Sequence, residues 1–150
     1  MRVWAIALFA IVVGTPILGK DIFTRLMGDS VATASDAAEL LYYSIKAIFT
    51  GQETDIDPQE RQEMERLLKE RGLMDEIGNK PLRRGTLARA LMEHFQLTKS
   101  FLTRLLGFES LYYQDAVKLG LFDDNLGADA NLTTRELLRA YLKAESLRNK

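Results

Sequence analysis

The sequence predicts an all-α protein, a small helical domain built from two helix-loop-helix repeats behind an N-terminal signal or anchor helix. Three observations indicate this fold. Apolar residues recur at helical spacing along most of the chain. No stretch shows the alternating, β-branched pattern that is typical of a strand. Two similar segments begin at Gly72 and Gly120, and each contains a glycine turn, a loop and a helix start.

Composition limits the functions that the chain is expected to have. Its 150 residues, 47% of them hydrophobic, are enough for one domain with a core. A net charge of -1 provides no overall positive field, so we expect no nucleic-acid partner. The lack of cysteine excludes disulfides, thiolate metal sites and cysteine nucleophiles. Because His94 is the single histidine, we expect no metal and no cofactor.

Residues 1–19 have the composition of an export signal. One positive charge, Arg2, precedes an apolar run that ends in a segment with glycine and proline. Gly19 would be the last residue before cleavage, but Ile17 is larger than the residues that a cleavage site prefers. Retention of residues 3–19 as a membrane anchor is the alternative, since about 17 uncharged residues are the minimum for a span. We therefore expect an exported protein of the periplasm or cell envelope.

Residues 20–150 are predicted to form a single domain of helices joined by short loops. Residues 21–27 have the pattern of a short amphipathic helix. Asp36 and Glu39 have capping-box spacing, in which each side chain bonds a backbone N–H at a helix start. The second helix is therefore predicted to begin at Asp36.

The next helix has the clearest start signal in the chain. Asp57 is followed by Pro58 and Glu60, which combines an N-cap, a proline at the first helical position and an acid at the third. This helix is predicted to end at Gly72. Two further helices are predicted over residues 98–106 and 111–119.

The two similar segments align when Leu82 is placed on Leu132. Leu87 then falls on Leu137, and the apolar face has the same phase in both copies. Neighbouring repeats of this kind usually stack and bury a shared core. Leu87 and Leu137 are therefore predicted to be matched core positions.

The unit resembles the S-layer homology repeat, in which an apolar-Thr-Arg-x-Glu-apolar-Ala motif opens a helix after a glycine-containing loop. The second copy matches this motif at Leu132, Thr133 and Glu136, with Thr134 in the place of the arginine. Thr133 and Glu136 also have capping-box spacing. The first copy matches the motif at Leu82, Arg84, Leu87 and Ala88. It has Arg83 and Thr86 in the places of the threonine and the glutamate.

The resemblance implies a non-catalytic module of the bacterial envelope that docks onto cell-wall polymers. In that family the motif arginine and nearby loop residues contact the anionic polymer, and Arg84 is the residue that carries over. Three repeats usually form the binding trefoil, and residues 36–49 are a candidate for a degenerate third copy. An envelope protein is the alternative partner. The alternative function is a membrane-anchored scaffold in an envelope complex.

Basic residues are concentrated between Lys80 and Arg104, where Glu93 is the single acid. Two interpretations remain open: the acidic stretch 53–76 neutralises these cations, or they form a patch for an anionic polymer or lipid headgroups. The motif and this stretch together give the candidate ligand-binding residues. They are Arg83, Arg84, Arg89, Lys99, Arg104, Thr133 and Glu136.

No catalytic constellation is expected. Residues 123–129 are similar to an EF-hand loop, but no register places its oxygen ligands, glycine and glutamate correctly, so a polar turn is predicted, with an irregular calcium site as the alternative. Glu60, Glu63 and Glu70 offer carboxylates for glycan cleavage, but they belong to a predicted exposed face without a partner histidine. His94 is predicted to interact with a helix dipole or with solvent. We expect neither an enzyme nor a metal site.

Overall fold

A computed structural model of the chain describes residues 20–46, 57–123 and 126–148. In these ranges the β-structure consists of isolated bridges, so the predicted all-α class is confirmed. No helix within them has both the length and the apolarity needed to cross a bilayer. The predicted signal or anchor segment, residues 1–19, lies outside the described residues. The described ranges contain seven helices: α1 (Lys20–Leu26), α2 (Ala34–Lys46), α3 (Pro58–Glu70), α4 (Arg84–His94), α5 (Phe101–Leu106), α6 (Glu109–Lys118) and α7 (Thr134–Arg148).

Two of the predicted helix starts are confirmed. The Asp57 carboxylate accepts a hydrogen bond from the Glu60 backbone N–H at 2.7 Å, which caps α3. At the start of α7, the Thr133 backbone N–H donates to the Glu136 carboxylate at 2.8 Å. The Glu136 backbone N–H donates in return to the Thr133 hydroxyl at 3.2 Å. Each pair satisfies backbone donors that have no partner inside the helix.

The predicted capping box of Asp36 and Glu39 is wrong. Helix α2 begins two residues earlier, and its box consists of Thr33 and Asp36, whose reciprocal hydrogen bonds measure 2.9 and 3.2 Å. Glu39 instead forms an ion pair with Arg25 of α1. Because α2 begins at Ala34, Asp36 is the third residue of the helix and caps Thr33, whereas Glu39 lies beyond the first turn and has no free backbone donor to cap.

Three short segments meet at the centre of the fold, and we call them the ring. They recur every 50 residues, at 31–33, 81–83 and 131–133, and each directly precedes a long helix. The antiparallel bridges join Val31 with Thr133, Thr33 with Pro81, and Arg83 with Asn131. Every segment therefore pairs with both of the others.

The first backbone N–H groups of α2, α4 and α7 form a second set of hydrogen bonds in the ring. These bonds run from Ala34 to the Lys80 carbonyl at 3.1 Å, from Arg84 to the Ala130 carbonyl at 3.0 Å, and from Thr134 to the Ser30 carbonyl at 2.8 Å. Such N–H groups have no acceptor within their own helix. Here they bond the first segment to the second, the second to the third, and the third back to the first.

The two-repeat layout predicted from the sequence is not confirmed. The segment 31–33 has the same bridges and the same helix start as the other two. Helix α2, which follows it, covers most of the region 36–49 that the sequence offers as a degenerate third copy. Ala32 in this segment and Ala34 at the following helix start occupy the places that Leu82 and Arg84 occupy in the second copy. The side chains that make the other copies recognisable are therefore missing from the first.

Each helix that follows a ring segment packs mainly against one other helix: α3 packs on α2, α6 packs on α4, and α1 packs on α7. Helices α2, α4 and α7 bury side chains at equivalent positions, counted from the ring segment that precedes each helix. The first such layer consists of Ala37, Leu87 and Leu137, and the second consists of Leu41, Leu91 and Tyr141. The first and last described helices therefore share one core.

Leu87→Ala and Leu137→Ala should each lower the free energy of unfolding by about 2–5 kcal/mol, because both side chains are at most 1% exposed and leave cavities when truncated. Leu142→Ala is the control, since that side chain is 49% exposed and its loss should cost less than about 0.5 kcal/mol. Urea denaturation followed by circular dichroism measures all three. A neutral result at Leu87 or Leu137 would contradict the assigned core layer.

Candidate functional site

A small pocket opens between the start of α4, the turn after α6, and α7. Its volume is about 60 Å³, which is room for a few water-sized groups. The lining combines two basic residues, two acidic residues and one aromatic ring. The lining residues are Arg84, Gly120, Leu121, Phe122, Asp123, Glu136 and Arg139.

Arg84 is buried although it carries a charge, with only 2% of the residue exposed. Its backbone is fixed by the ring, because it is the first residue of α4. Its Nη2 donates to Glu136 Oε1 at 2.6 Å, and its Cζ lies 5.9 Å from the centroid of the Phe122 ring. Its Nε is buried and has no hydrogen-bond partner among the described residues. An unsatisfied buried donor costs about 1–3 kcal/mol, so an oxygen atom placed there would be stabilising.

Glu136 joins the capping box of α7 to this arginine. One carboxylate oxygen accepts from Thr133 and the other from Arg84. Burial acts to raise the pKa of Glu136, but the hydrogen bonds from Thr133 and Arg84 outweigh it and hold the pKa below its usual value. The glutamate therefore stays ionised at neutral pH and keeps the guanidinium of Arg84 in place across the ring.

One of the three equivalent ring positions carries an arginine. Ala34 and Thr134 occupy the places in α2 and α7 that Arg84 occupies in α4. The Thr134 hydroxyl donates to the Gly28 carbonyl at 2.7 Å and brings no charge. The ring therefore places a buried cation at the α4–α7 junction and at neither of its other two helix starts.

The structure brings together three of the seven predicted ligand-binding residues. Arg84 and Glu136 line the pocket, and Thr133 fixes the carboxylate of Glu136. Arg83 lies in the ring, but its side chain is 55% exposed and forms a 3.5 Å ion pair with Asp129 outside the pocket.

The other three predicted residues do not line the pocket. Arg89 pairs with Asp75 at 3.4 Å, and Lys99 pairs with Glu93 at 2.8 Å. Arg104 is exposed on α5 and has no ion pair with any described residue. The basic stretch is thus divided among several local ion pairs.

Two ion pairs agree with the interpretation in which the acidic stretch neutralises the basic stretch. Arg89 and Lys80 contact Asp75 and Glu76, which end the acidic stretch 53–76. Lys80 and Glu76 are at least 76% exposed, and an ion pair in that position adds little stability because water and salt screen it.

The sequence interpretation missed Arg139, Phe122 and Asp123. Arg139 follows Glu136 by three residues on α7, a spacing that places both side chains on one helix face. Phe122 and Asp123 follow the glycine turn of the second copy, whose Gly120 has a φ of +75° that favours glycine. The helical spacing from Glu136 could have identified Arg139, and the glycine turn could have identified Phe122 and Asp123.

His94 lies in the last turn of α4, where the sequence predicts an interaction with the helix dipole or with solvent, and it is half-buried against α2. Its Nε2 is hydrogen-bonded to the Ser44 hydroxyl at 2.8 Å, and its ring meets the edge of Phe95 at 4.5 Å between centroids. Burial, with smaller contributions from Arg148 and Arg71, lowers the pKa of His94 to about 4. The imidazole is therefore neutral at neutral pH.

The described residues contain no group of three histidine or acidic side chains able to hold a metal. Residues 124–125 lie outside the described residues, so the calcium-loop interpretation stays untested. On α3, Glu63 pairs with Lys46 at 2.8 Å and Glu70 with Arg66 at 3.2 Å. Neither glutamate lines the pocket.

Comparisons of the chain with protein-family models, with curated proteins and with solved structures found no match. The relation to S-layer homology repeats therefore stays a prediction that depends on the motif residues.

His94 makes stability depend on pH in a defined window. The unfolded chain binds a proton on His94 near pH 6.5, whereas the folded chain binds it near pH 4. The unfolded state holds more protons between these values, so the free energy of unfolding should fall as the pH is lowered from 6.5 to 4.

His94→Gln keeps a polar group beside Ser44 but does not titrate, so its free energy of unfolding should fall less over this window. Urea denaturation at pH values inside and above the window measures the difference between the two proteins. Equal losses in both would show that His94 is not the titrating group.

Proposed function

We propose that this chain is an exported, non-catalytic protein of the bacterial envelope that binds an anionic cell-wall glycan in the α4–α7 pocket. The observation that carries this proposal is Arg84, a buried cation whose Nε has no partner among the described residues. A structural ion pair alone would not require a pocket beside it. Here Arg84 lines one, together with a second arginine.

The lining suits a sugar that carries a carboxylate or a similar anionic group. Planar guanidinium groups donate two parallel hydrogen bonds to such groups, and they do so best where water is excluded. Glu136 already pairs with Arg84, whereas Arg139 is exposed and has no ion pair within the described part of the chain. The negative charge of the ligand is therefore expected at Arg139, beside the guanidinium group of Arg84 that lines the same pocket.

The remaining lining residues suit the neutral parts of a sugar. The Asp123 carboxylate accepts hydrogen bonds from hydroxyl groups, and Phe122 provides an apolar surface beside them. A pocket of about 60 Å³ admits one substituent and not a whole sugar ring. In this proposal a charged substituent or one end of the glycan polymer enters the pocket, and the rest of the polymer lies along the protein surface outside it.

In the S-layer homology family three repeats form the binding trefoil, and we propose that the ring is its counterpart, since three segments at a spacing of 50 residues close it here. Since Arg84 has no charged counterpart at residues 34 and 134, we propose one glycan site per chain.

The predicted export signal over residues 1–19 would deliver the pocket to the compartment that contains wall polymers. If residues 3–19 are retained, the same domain would be held at the membrane. A membrane-anchored scaffold is therefore the second candidate function, and the exposed apolar side chains of α5 favour it.

A sacculus-binding experiment tests the proposal. The full chain is mixed with purified peptidoglycan sacculi, with and without their covalently attached anionic polymers, and the bound fraction is measured by sedimentation. We expect binding that requires the attached polymer and weakens with added salt, because the contact at Arg139 is exposed to solvent.

Arg139→Gln should weaken this binding about tenfold, which corresponds to about 1.4 kcal/mol. Arg135→Gln is the matched control, since Arg135 lies on the same helix, pairs with Asp29 at 3.1 Å and does not line the pocket. Arg84→Lys should also weaken binding, because an ammonium lacks the planar pair of donors. Equal binding by wild type and Arg139→Gln, or no binding by wild type, would refute the proposal.

A further inference from the structure

Helix α5 and the turn after it expose five large apolar side chains within eight residues. They are Phe101, Leu102, Leu105, Leu106 and Phe108, and each is between 49% and 75% exposed. We call them the apolar edge. The other large apolar residues exposed in the described ranges are scattered: Met27 follows α1, Val31 lies in the ring, Leu126 in a loop and Leu142 on α7. A contiguous exposed patch of this kind marks an interaction surface.

The apolar edge is not what holds α5 in place. Thr103 is the one buried residue of this helix, and its hydroxyl donates to the Asp115 carboxylate at 2.6 Å. The Ser100 backbone N–H donates to the same carboxylate at 2.7 Å. Burial acts to raise the pKa of Asp115, but the hydrogen bonds from Thr103 and Ser100 outweigh it and keep the pKa low. Polar bonds to α6 therefore fix the helix, while its apolar side chains point outward.

Helix geometry collects these side chains on one face. At about 100° per residue, Phe101, Leu102, Leu105 and Leu106 span an arc of about 140°. Gly107 adopts a φ of +66° and ends the helix, so Phe108 follows directly after a tight turn. Phe101 is 75% exposed, which means that its ring projects from the surface.

The charge beside the apolar edge is positive. Residues 99–108 contain Lys99 and Arg104 but no acid. Lys99 is paired with Glu93, whereas Arg104 has no ion pair with a described residue and lies beside the apolar arc. A projecting apolar helix face with an adjacent cation is the arrangement by which interfacial helices enter an anionic bilayer surface.

We propose that the apolar edge inserts into the surface of an anionic lipid bilayer and docks the folded domain there. The predicted apolar segment over residues 3–19 would hold the chain at a membrane where it is retained, so a lipid surface would lie within reach of the apolar edge. A single weak lipid attachment is reversible, and a second one strengthens it. This docking does not depend on the glycan pocket.

A fluorescent probe on the apolar edge tests the proposal. The chain has no cysteine, so Leu106→Cys and the control Leu142→Cys can each carry one environment-sensitive nitrobenzoxadiazole label. Both side chains are 49% exposed, and they lie on different helices. Because both labelled chains keep residues 1–19, any membrane affinity of that segment is common to them, and a difference reports the position of the label.

With vesicles of phosphatidylcholine and phosphatidylglycerol, the label at residue 106 should shift to shorter wavelength and be quenched by spin-labelled acyl chains. The label at residue 142 should do neither. Arg104→Glu should weaken the response at residue 106 several-fold, and Leu105→Glu should abolish it. Both substituted residues are exposed, and circular dichroism checks that the variants stay folded.

Two outcomes would overturn the proposal. The first is equal quenching of the two labels, or no quenching of the label at residue 106. The second is a shift at residue 106 that occurs without vesicles and grows with protein concentration, because a second copy of the chain would then cover the apolar edge.

Discussion

Three backbone hydrogen bonds at the centre of the fold determine where the rest of the structure lies. They use the N–H groups of residues 34, 84 and 134, which begin helices and have no acceptor inside them. Each bond joins segments far apart in sequence, so the ring closes only when all three are in place. The ring fixes the backbone of Arg84 at the start of α4, and the capping box with Thr133 fixes Glu136 at the start of α7. The pocket is therefore a consequence of backbone geometry together with one ion pair.

Local signals predict the helices well, whereas the ring leaves little trace in the sequence. The starts of α3 and α7 follow from Asp57 with Glu60 and from Thr133 with Glu136, because capping needs particular side chains at fixed spacing. The bonds of the ring are made by backbone atoms and need no particular side chain. Alanine occupies residue 32 of the first segment and residue 34 at the helix start after it, so the membership of this segment in the ring could not be identified from residue types.

The site was partly predictable for the same reason. The family motif selected Arg84 and Glu136, and the structure places both in the pocket. The density of positive charge selected Arg89 and Lys99, but composition does not show which way a side chain points or which acid lies beside it. The structure pairs both of these residues with acids elsewhere. Arg139 was missed because its position on the same helix face as Glu136 points to a site only when the α4–α7 pocket is known.

The central claim is that the three segments form one cooperative ring, with the first as integral as the other two. Native-state amide hydrogen exchange at residues 34, 84 and 134, followed by NMR, tests it most directly. If the ring opens as a unit, the three amides will exchange slowly, with similar free energies of opening close to that of global unfolding. Fast exchange at residue 34 through a local opening, with slow exchange at residues 84 and 134, would contradict the account and restore a two-segment arrangement.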